Sequence, residues 1–312
     1  MKISVAHIVS WFKGKDNSFY SRGGKVFHLH NDKECSEDLG PFLQQSLSFD
    51  NSFCLSTEDI KYWPAISPDI IFLSNERDGS LTIKDLRKRF PHSMFIGLTK
   101  EPLELLWREN LSLIKENLSS CDIVGCPYFY QIKEDYQNLL GTGIDLQTII
   151  QPFNPRPFKS KYLSEKSQDI KMFFYRHWDN SRSGSDVFTH LYSKFNKDIK
   201  CTTGTSDNFN EFIKLWKDSH ILINLDPTGN YGKQSIECAT LNTTHLGSRN
   251  DAAQVLWQDL ASIDLDFIES KIMDFLNNPQ LLTDYNNYAH NKLIEVYSVD
   301  SFKSTIFDLY KN

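Results

Sequence analysis

The residues with the most chemistry in this 312-residue chain stand between Asp226 and Ser248, in DPTGNYGKQSIECATLNTTHLGS. A run of turn formers (Asp226, Pro227, Thr228, Gly229, Asn230) follows an apolar stretch and leads into a helical pattern from about Tyr231. The first amides of a helix have no partner within it, and they carry the partial positive end of its dipole. A loop of this kind therefore suits an anion. Gly229 and Gly232 permit close approach of a ligand to the backbone, and Lys233 adds a charge. Glu237, about a turn and a half into the helix, can accept two hydrogen bonds from a diol. The same spacing equally suits a solvated glutamate and glycines that merely punctuate a loop.

A second segment, MFFYRHWDNSRSGSDVF from Met172 to Phe188, sets Arg176 directly after an apolar run and Arg182 in a Ser/Gly-rich turn before a helix. Two guanidinium groups near one helix N-terminus can clamp a diphosphate through bidentate, charge-assisted hydrogen bonds. Taken alone, the pair reads more simply as solvent-facing arginines, or as partners of Asp179 or Asp186. His177, next to Arg176, is the histidine best placed for testing.

Apolar runs alternate with helical patterns on both sides of these segments. In the first half, strands are expected at 2–10, 25–30, 69–74, 94–98, 122–124 and 148–153. Helices are expected at 34–47, 81–90, 101–120 and 128–140. The DIIFLS run at 69–74 is apolar without alternation, as in a strand buried on both faces. The stretch QPFNPRPFKSKY, with Pro152, Pro155 and Pro157, is expected to be a linker. Proline removes an amide donor and disfavours helix before it. Beyond it come strands at 170–175, 198–203, 220–225 and 244–247, helices at 185–195, 208–218 and 231–241, and a helical tail over 264–310. Such alternation implies βαβ units and parallel sheets. The expected fold class is α/β: two Rossmann-like, doubly wound domains facing a cleft at the carboxyl ends of their strands, where open α/β sheets bind ligands.

Composition narrows the classes of function. The chain has 34 Lys+Arg against 40 Asp+Glu, a net charge of -6, which weakens the case for a polyanionic partner without closing it. No window approaches the roughly 18 apolar residues of a membrane span, and the start lacks a small-residue cleavage site. The expected location is the cytoplasm, whether at the inner membrane face or, for a phage protein, in the host. Of six cysteines only Cys121 and Cys126 lie close, with no second pair or histidine cluster, so reduced thiols and no metal site are expected. Asp264 and Asp266 form an Asp-x-Asp at a helix start and read as a cap.

Together the two segments resemble the donor domain of retaining, GT-B-fold glycosyltransferases, the large family four and its relatives. Tyr175-Arg176 stands where that family has Gly-Arg at the end of the domain's first strand, and Arg182-Ser183-Gly184 approximates its Lys-Gly. GNYGKQSIECA overlays the Glu-x7-Glu run, with Tyr231-Gly232 on Phe-Gly and Glu237-Cys238-Ala239 on Glu-Ala; Gly229 replaces the first Glu. LNTTHLGS is similar to the strand approach that follows, and YSVDSFKSTIFDLYKN to the closing helices. The resemblance covers about 149–312, with a more distant similarity to phage DNA glucosyltransferases.

It implies a first domain over 1–154 on the acceptor side, a donor domain over 155–297, and a closing helix at 298–312 that returns to the first domain. It also implies roles. Arg176 and Arg182 neutralise the departing diphosphate, Glu237 takes the ribose hydroxyls, and the loop and helix start from Gly229 through Asn230, Tyr231, Gly232, Lys233 and Gln234 to Ser235 face the donor. Retention and a metal-independent mechanism follow, with no cofactor beyond the nucleotide-diphosphate sugar. Trp11, Gly23 and Gly24, with Lys100 and Glu101, are the acceptor-side candidates. The acceptor is a surface polysaccharide or lipopolysaccharide, or a modified base in phage DNA; Lys13, Lys15, Arg22 and Lys25 form the basic stretch bordering it. A sugar-nucleotide epimerase or hydrolase and a non-enzymatic sugar-binding module are the alternatives on the same architecture. Oligomeric state is not legible.

Overall fold

The continuous apolar runs become the inner strands of two sheets. The structure, a computed structural model, describes residues 3–9, 27–28, 48–49, 51–56, 66–73, 83–99, 111–127, 129, 131–141, 143–176, 184–204 and 209–311. The chain divides into one unit of Met1–Phe153 with Tyr297–Asn312 and a second of Asn154–Val296.

The first unit is built on β1 (Ser4–Val9), β2 (Phe27–His28), β3 (Asn51–Ser56), β4 (Ile70–Leu73), β5 (Met94–Leu98), β6 (Ile123–Cys126) and β7 (Leu146–Thr148). Their order is β2-β3-β1-β4-β5-β6-β7, parallel except for β2 against β3. Helices α1 (Ile83–Arg89), α2 (Leu111–Ser119) and α3 (Gln131–Leu140) intervene. Strand alternation separates two faces. Ile71 and Leu73 of β4 pack with Ile83 and Leu86 of α1. Ile70 and Phe72 pack on the other face with Phe302 and Ile306 of the last helix, α11 (Val299–Lys311). The closing helix therefore belongs to the first unit's core, as the resemblance implied. Ile306 is fully buried there, so Ile306→Val is expected to cost about 0.5–1.5 kcal/mol in chemical denaturation.

The second unit has β8 (Lys171–Tyr175), β9 (Lys200–Gly204), β10 (Ile221–Asn224) and β11 (Thr244–Gly247), all parallel, in the order β11-β10-β8-β9. Around them lie α4 (Pro155–Tyr162), α5 (Ser185–Phe195), α6 (Phe209–Trp216), α7 (Lys233–Thr240), α8 (Asp251–Leu256), α9 (Leu265–Asn277) and α10 (Gln280–Val296). Both β10 and β11 are buried along their whole length. None of the described helices is long and apolar enough to cross a membrane.

Three expectations need correction. The proline-rich stretch is not simply a linker, because Pro155–Tyr162 is helical. Pro155 and Pro157 occupy the first turn, where amides have no intrahelical partner to lose. β3 was not foreseen: NSFCLS is half polar, and its strand character comes from pairing with β1 on one side and β2 on the other. The strand expected at 148–153 ends at Thr148. The helix expected at 34–47 lies outside the described residues, as does the first part of that expected at 101–120. Asp264 does cap α9, its Oδ1 accepting from Phe267 N at 2.9 Å.

Candidate functional site

In the second sheet the chain runs from β8 outward to β9, then returns across β8 to β10 and on to β11. The reversal falls between β8 and β10, which are paired neighbours. At such a switch point the following connections diverge to opposite faces and leave a crevice at the carboxyl edge. Arg176 stands there, directly after β8, with its amide donating to Gly204 O at 3.3 Å and its side chain exposed. Arg182 and His177 lie outside the described residues. The chain re-enters at Gly184, the N-cap of α5, at φ 57° and with no side-chain cap. A Cβ at Gly184 would stand 2.6 Å from Leu225 Cδ1. The start of α5 therefore abuts the residue that follows β10.

The loop from Asp226 to Gly232 is held by its own side chains. Asp226, buried at 3% exposure, accepts from Thr228 N (3.0 Å) and Thr228 Oγ1 (2.8 Å) on Oδ1, and from Asn230 Nδ2 (2.9 Å) on Oδ2. Asn230 Oδ1 accepts from Gly232 N at 2.9 Å. The bonds from Thr228 N and Gly232 N are side-chain-to-backbone turns, which Asp and Asn form readily. Asn250 extends the network, because its Oδ1 takes both Ala253 N at 2.7 Å, capping α8, and Ser235 Oγ at 3.1 Å. Trp257 Nε1 donates to Ser235 O at 3.0 Å. Ser248, buried at φ 61°, donates from Oγ to Asp226 O at 3.2 Å. A non-glycine residue held in the left-handed region costs free energy and persists where surrounding contacts impose it.

The network assigns the expected donor-facing residues different jobs. Asn230 holds the loop, and Gln234 Oε1 accepts from Asn224 Nδ2 at 3.0 Å. Tyr231 is 6% exposed and Ser235 is fully buried. These four side chains turn toward the protein, whereas the Lys233 side chain stays a third exposed. Trp11, Gly23, Gly24, Lys100 and Glu101 lie outside the described residues, as do Lys13, Lys15, Arg22 and Lys25.

Glu237 is not a solvated glutamate. It is 1% exposed on α7, the helix that opens at this loop with Gly232 as its uncapped N-cap. Burial pushes its carboxyl pKa up, while Lys233, with Nζ 3.4 Å from Oε1, pulls it down. His245, on β11 behind the loop, is held neutral, burial lowering its pKa to about 3. Its Nε2 lies 3.3 Å from Ser235 Oγ. The sequence reading missed Asn250 and Asp226 as organisers. The Asn250-Asp251-Ala252 step is a helix-start signal that would have located α8.

Two Rossmann-like units, with the last helix returning to the first, define the GT-B fold of glycosyltransferases. No protein-family model matches the sequence, and no curated protein matches it either. Solved structures do. An alpha-glucosyltransferase in complex with UDP and a 13-mer DNA containing a HMU base is 11% identical, covers 100% of both chains and has a TM-score of 0.65. HepE of Anabaena, in complex with UDP and glucose, is 7% identical over 99% of both chains, with a TM-score of 0.60. The N-terminal domain of Candida albicans trehalose-6-phosphate phosphatase is 12% identical over 81% of this chain and 73% of that one, with a TM-score of 0.57.

Proposed function

We propose that this chain is a glycosyltransferase that moves a sugar from a nucleotide-diphosphate donor to an acceptor, with retention and without a metal ion. The observation that carries this reading is Glu237, a carboxylate buried beside Lys233 on the helix that opens at the switch point. A buried acceptor-only group of this kind matches the paired hydroxyls of a ribose. Two helix starts with glycine N-caps and no side-chain cap, α5 and α7, leave amide donors for phosphate oxygens. Arg176, and Arg182 by resemblance, supply positive charge where the leaving group gains negative charge. The bond between the sugar carbon and the diphosphate breaks with its electron pair going to the diphosphate. The carbon bonds to an acceptor oxygen, and that oxygen's proton passes to a phosphate oxygen of the departing diphosphate. Charge fixed in advance at the leaving group is a large contribution to such a step. UDP in the complexes of two similar structures makes uridine the first nucleoside to test.

A carbohydrate acceptor is the proposal, consistent with a net charge of -6. The DNA bound in one full-length match supports a modified base as the second reading. A thermal-shift panel of nucleoside diphosphates and their sugars tests the donor. A ligand at about 100 times its Kd adds roughly 2.7 kcal/mol and raises the melting temperature. Absence of a shift with every diphosphate sinks the assignment. Binding of DNA that weakens steeply with salt would select the second acceptor.

A further inference from the structure

Among the described residues, a single cation stands within ion-pair distance of the Glu237 carboxyl. It is Lys233, one helical turn earlier, a third exposed, with Nζ 3.4 Å from an Oε1 that is buried and takes no closer hydrogen bond. The neighbouring groups give no second counter-charge. Cys238, next on the same helix, is buried and neutral. Asp251, on α8, is a second acidic side chain and offers no cation. From α10, His290 sets Nδ1 against Ala239 O at 3.3 Å. Lys166 spends its ammonium on Lys217 O, Ser219 O and Thr243 Oγ1, beyond the amino ends of the strands.

We infer that Lys233 is a positioning residue for the donor nucleoside. It supplies the counter-charge that fits Glu237 to accept hydrogen bonds from two vicinal hydroxyl groups. This rests on the reading of Glu237 as the group that meets the donor. A buried carboxyl without a partner takes up a proton, and the neutral form gives up part of its accepting capacity to its own O–H. Lys233 thus acts through Glu237. The competing role, direct contact with the diphosphate, would make it indifferent to the nucleoside.

Calorimetric titration with uridine, 2′-deoxyuridine and UDP between about pH 6 and 9 separates the two roles, the usual carboxyl value lying well below that range. For wild type, uridine affinity is expected to stay level. In Lys233→Met it is expected to fall about tenfold at the acid end, one pKa unit in effect, and to recover as the pH rises. Lys233→Arg restores the level profile. 2′-Deoxyuridine, lacking the diol, does not respond to the substitution, and neither does uridine in the Lys233→Met/Glu237→Gln double variant relative to Glu237→Gln. Infrared spectra give a readout without ligand: a protonated-carboxyl band at neutral pH in Lys233→Met that the double variant lacks. A loss confined to UDP, or the same factor at every pH, overturns the proposal while leaving the donor reading intact. Wild-type protein that binds neither uridine nor UDP overturns both for a uridine donor.

Discussion

Glu237→Gln is expected to make the protein more stable at neutral pH and, at the same time, a much poorer binder of its nucleotide. Burial raises the folded-state pKa of this carboxyl above its unfolded value, with Lys233 offsetting part of the rise. The folded state therefore holds the proton more tightly than the unfolded chain does. The sign follows: the group's contribution to stability is fully present below the unfolded pKa, about 4.3, and is lost as pH rises through the folded value. Glutamine has nothing to ionise, so the gain in melting temperature shows at pH 7 and shrinks toward pH 4. Binding moves the other way. A hydrogen bond to a charged group contributes about 1.5–3 kcal/mol, so affinity falls roughly tenfold to a hundredfold. Exchange of stability for function is common at sites built from strained or buried polar groups. Unchanged affinity in Glu237→Gln, or a melting temperature lowered at every pH, contradicts this account.

Gly232→Ala is expected to be the most damaging single-methyl change in the second unit. Gly232 sits at φ 83°, and an added Cβ would stand 1.8 Å from Asn250 Oδ1 and 3.2 Å from Ala252 Cβ. No rotamer relieves this, because a Cβ is fixed by the backbone. The left-handed conformation costs an L residue about 1–2 kcal/mol. Expelling Asn250 then removes the cap of α8, typically about 1 kcal/mol, together with the hydrogen bond from Ser235 Oγ. A loss of about 3–5 kcal/mol follows. Gly143→Ala is the control, because nothing lies within 4 Å of its added Cβ. Denaturation of the two variants by urea checks the contrast; equal midpoints would refute it.

The fold was legible where side-chain period decides it. The strand expected at 94–98 has those bounds in the structure, and the continuous runs at β4 and β10 are buried central strands. Legibility failed where pairing or position in a turn decides. Asn51–Ser56 is a strand because β1 offers it an edge, and Pro155 and Pro157 start a helix because they fall in its first turn. Site chemistry divides the same way. Glu237 could be singled out from its spacing, but its burial depends on α7 packing against α8 and α10, partners remote in sequence. Asn230, Gln234 and Ser235 have polar side chains that suit a ligand as well as they suit Asp226, Asn224 and Asn250. Only the three-dimensional neighbours reveal that the protein itself is their partner.

The position of α11 has a consequence for synthesis on the ribosome. Phe302 and Ile306 fill the face of the first sheet that Ile70 and Phe72 present, yet they are translated after the whole of the second unit. Phe153 N, bonded to Tyr297 O at 2.9 Å, ties the outgoing and returning connections together within the first unit. The segment made first must therefore wait, with one apolar flank uncovered, while the segment made second has every residue it needs. A nascent chain stalled before residue 297 leaves that apolar flank uncovered, and exposed apolar surface of this kind promotes aggregation.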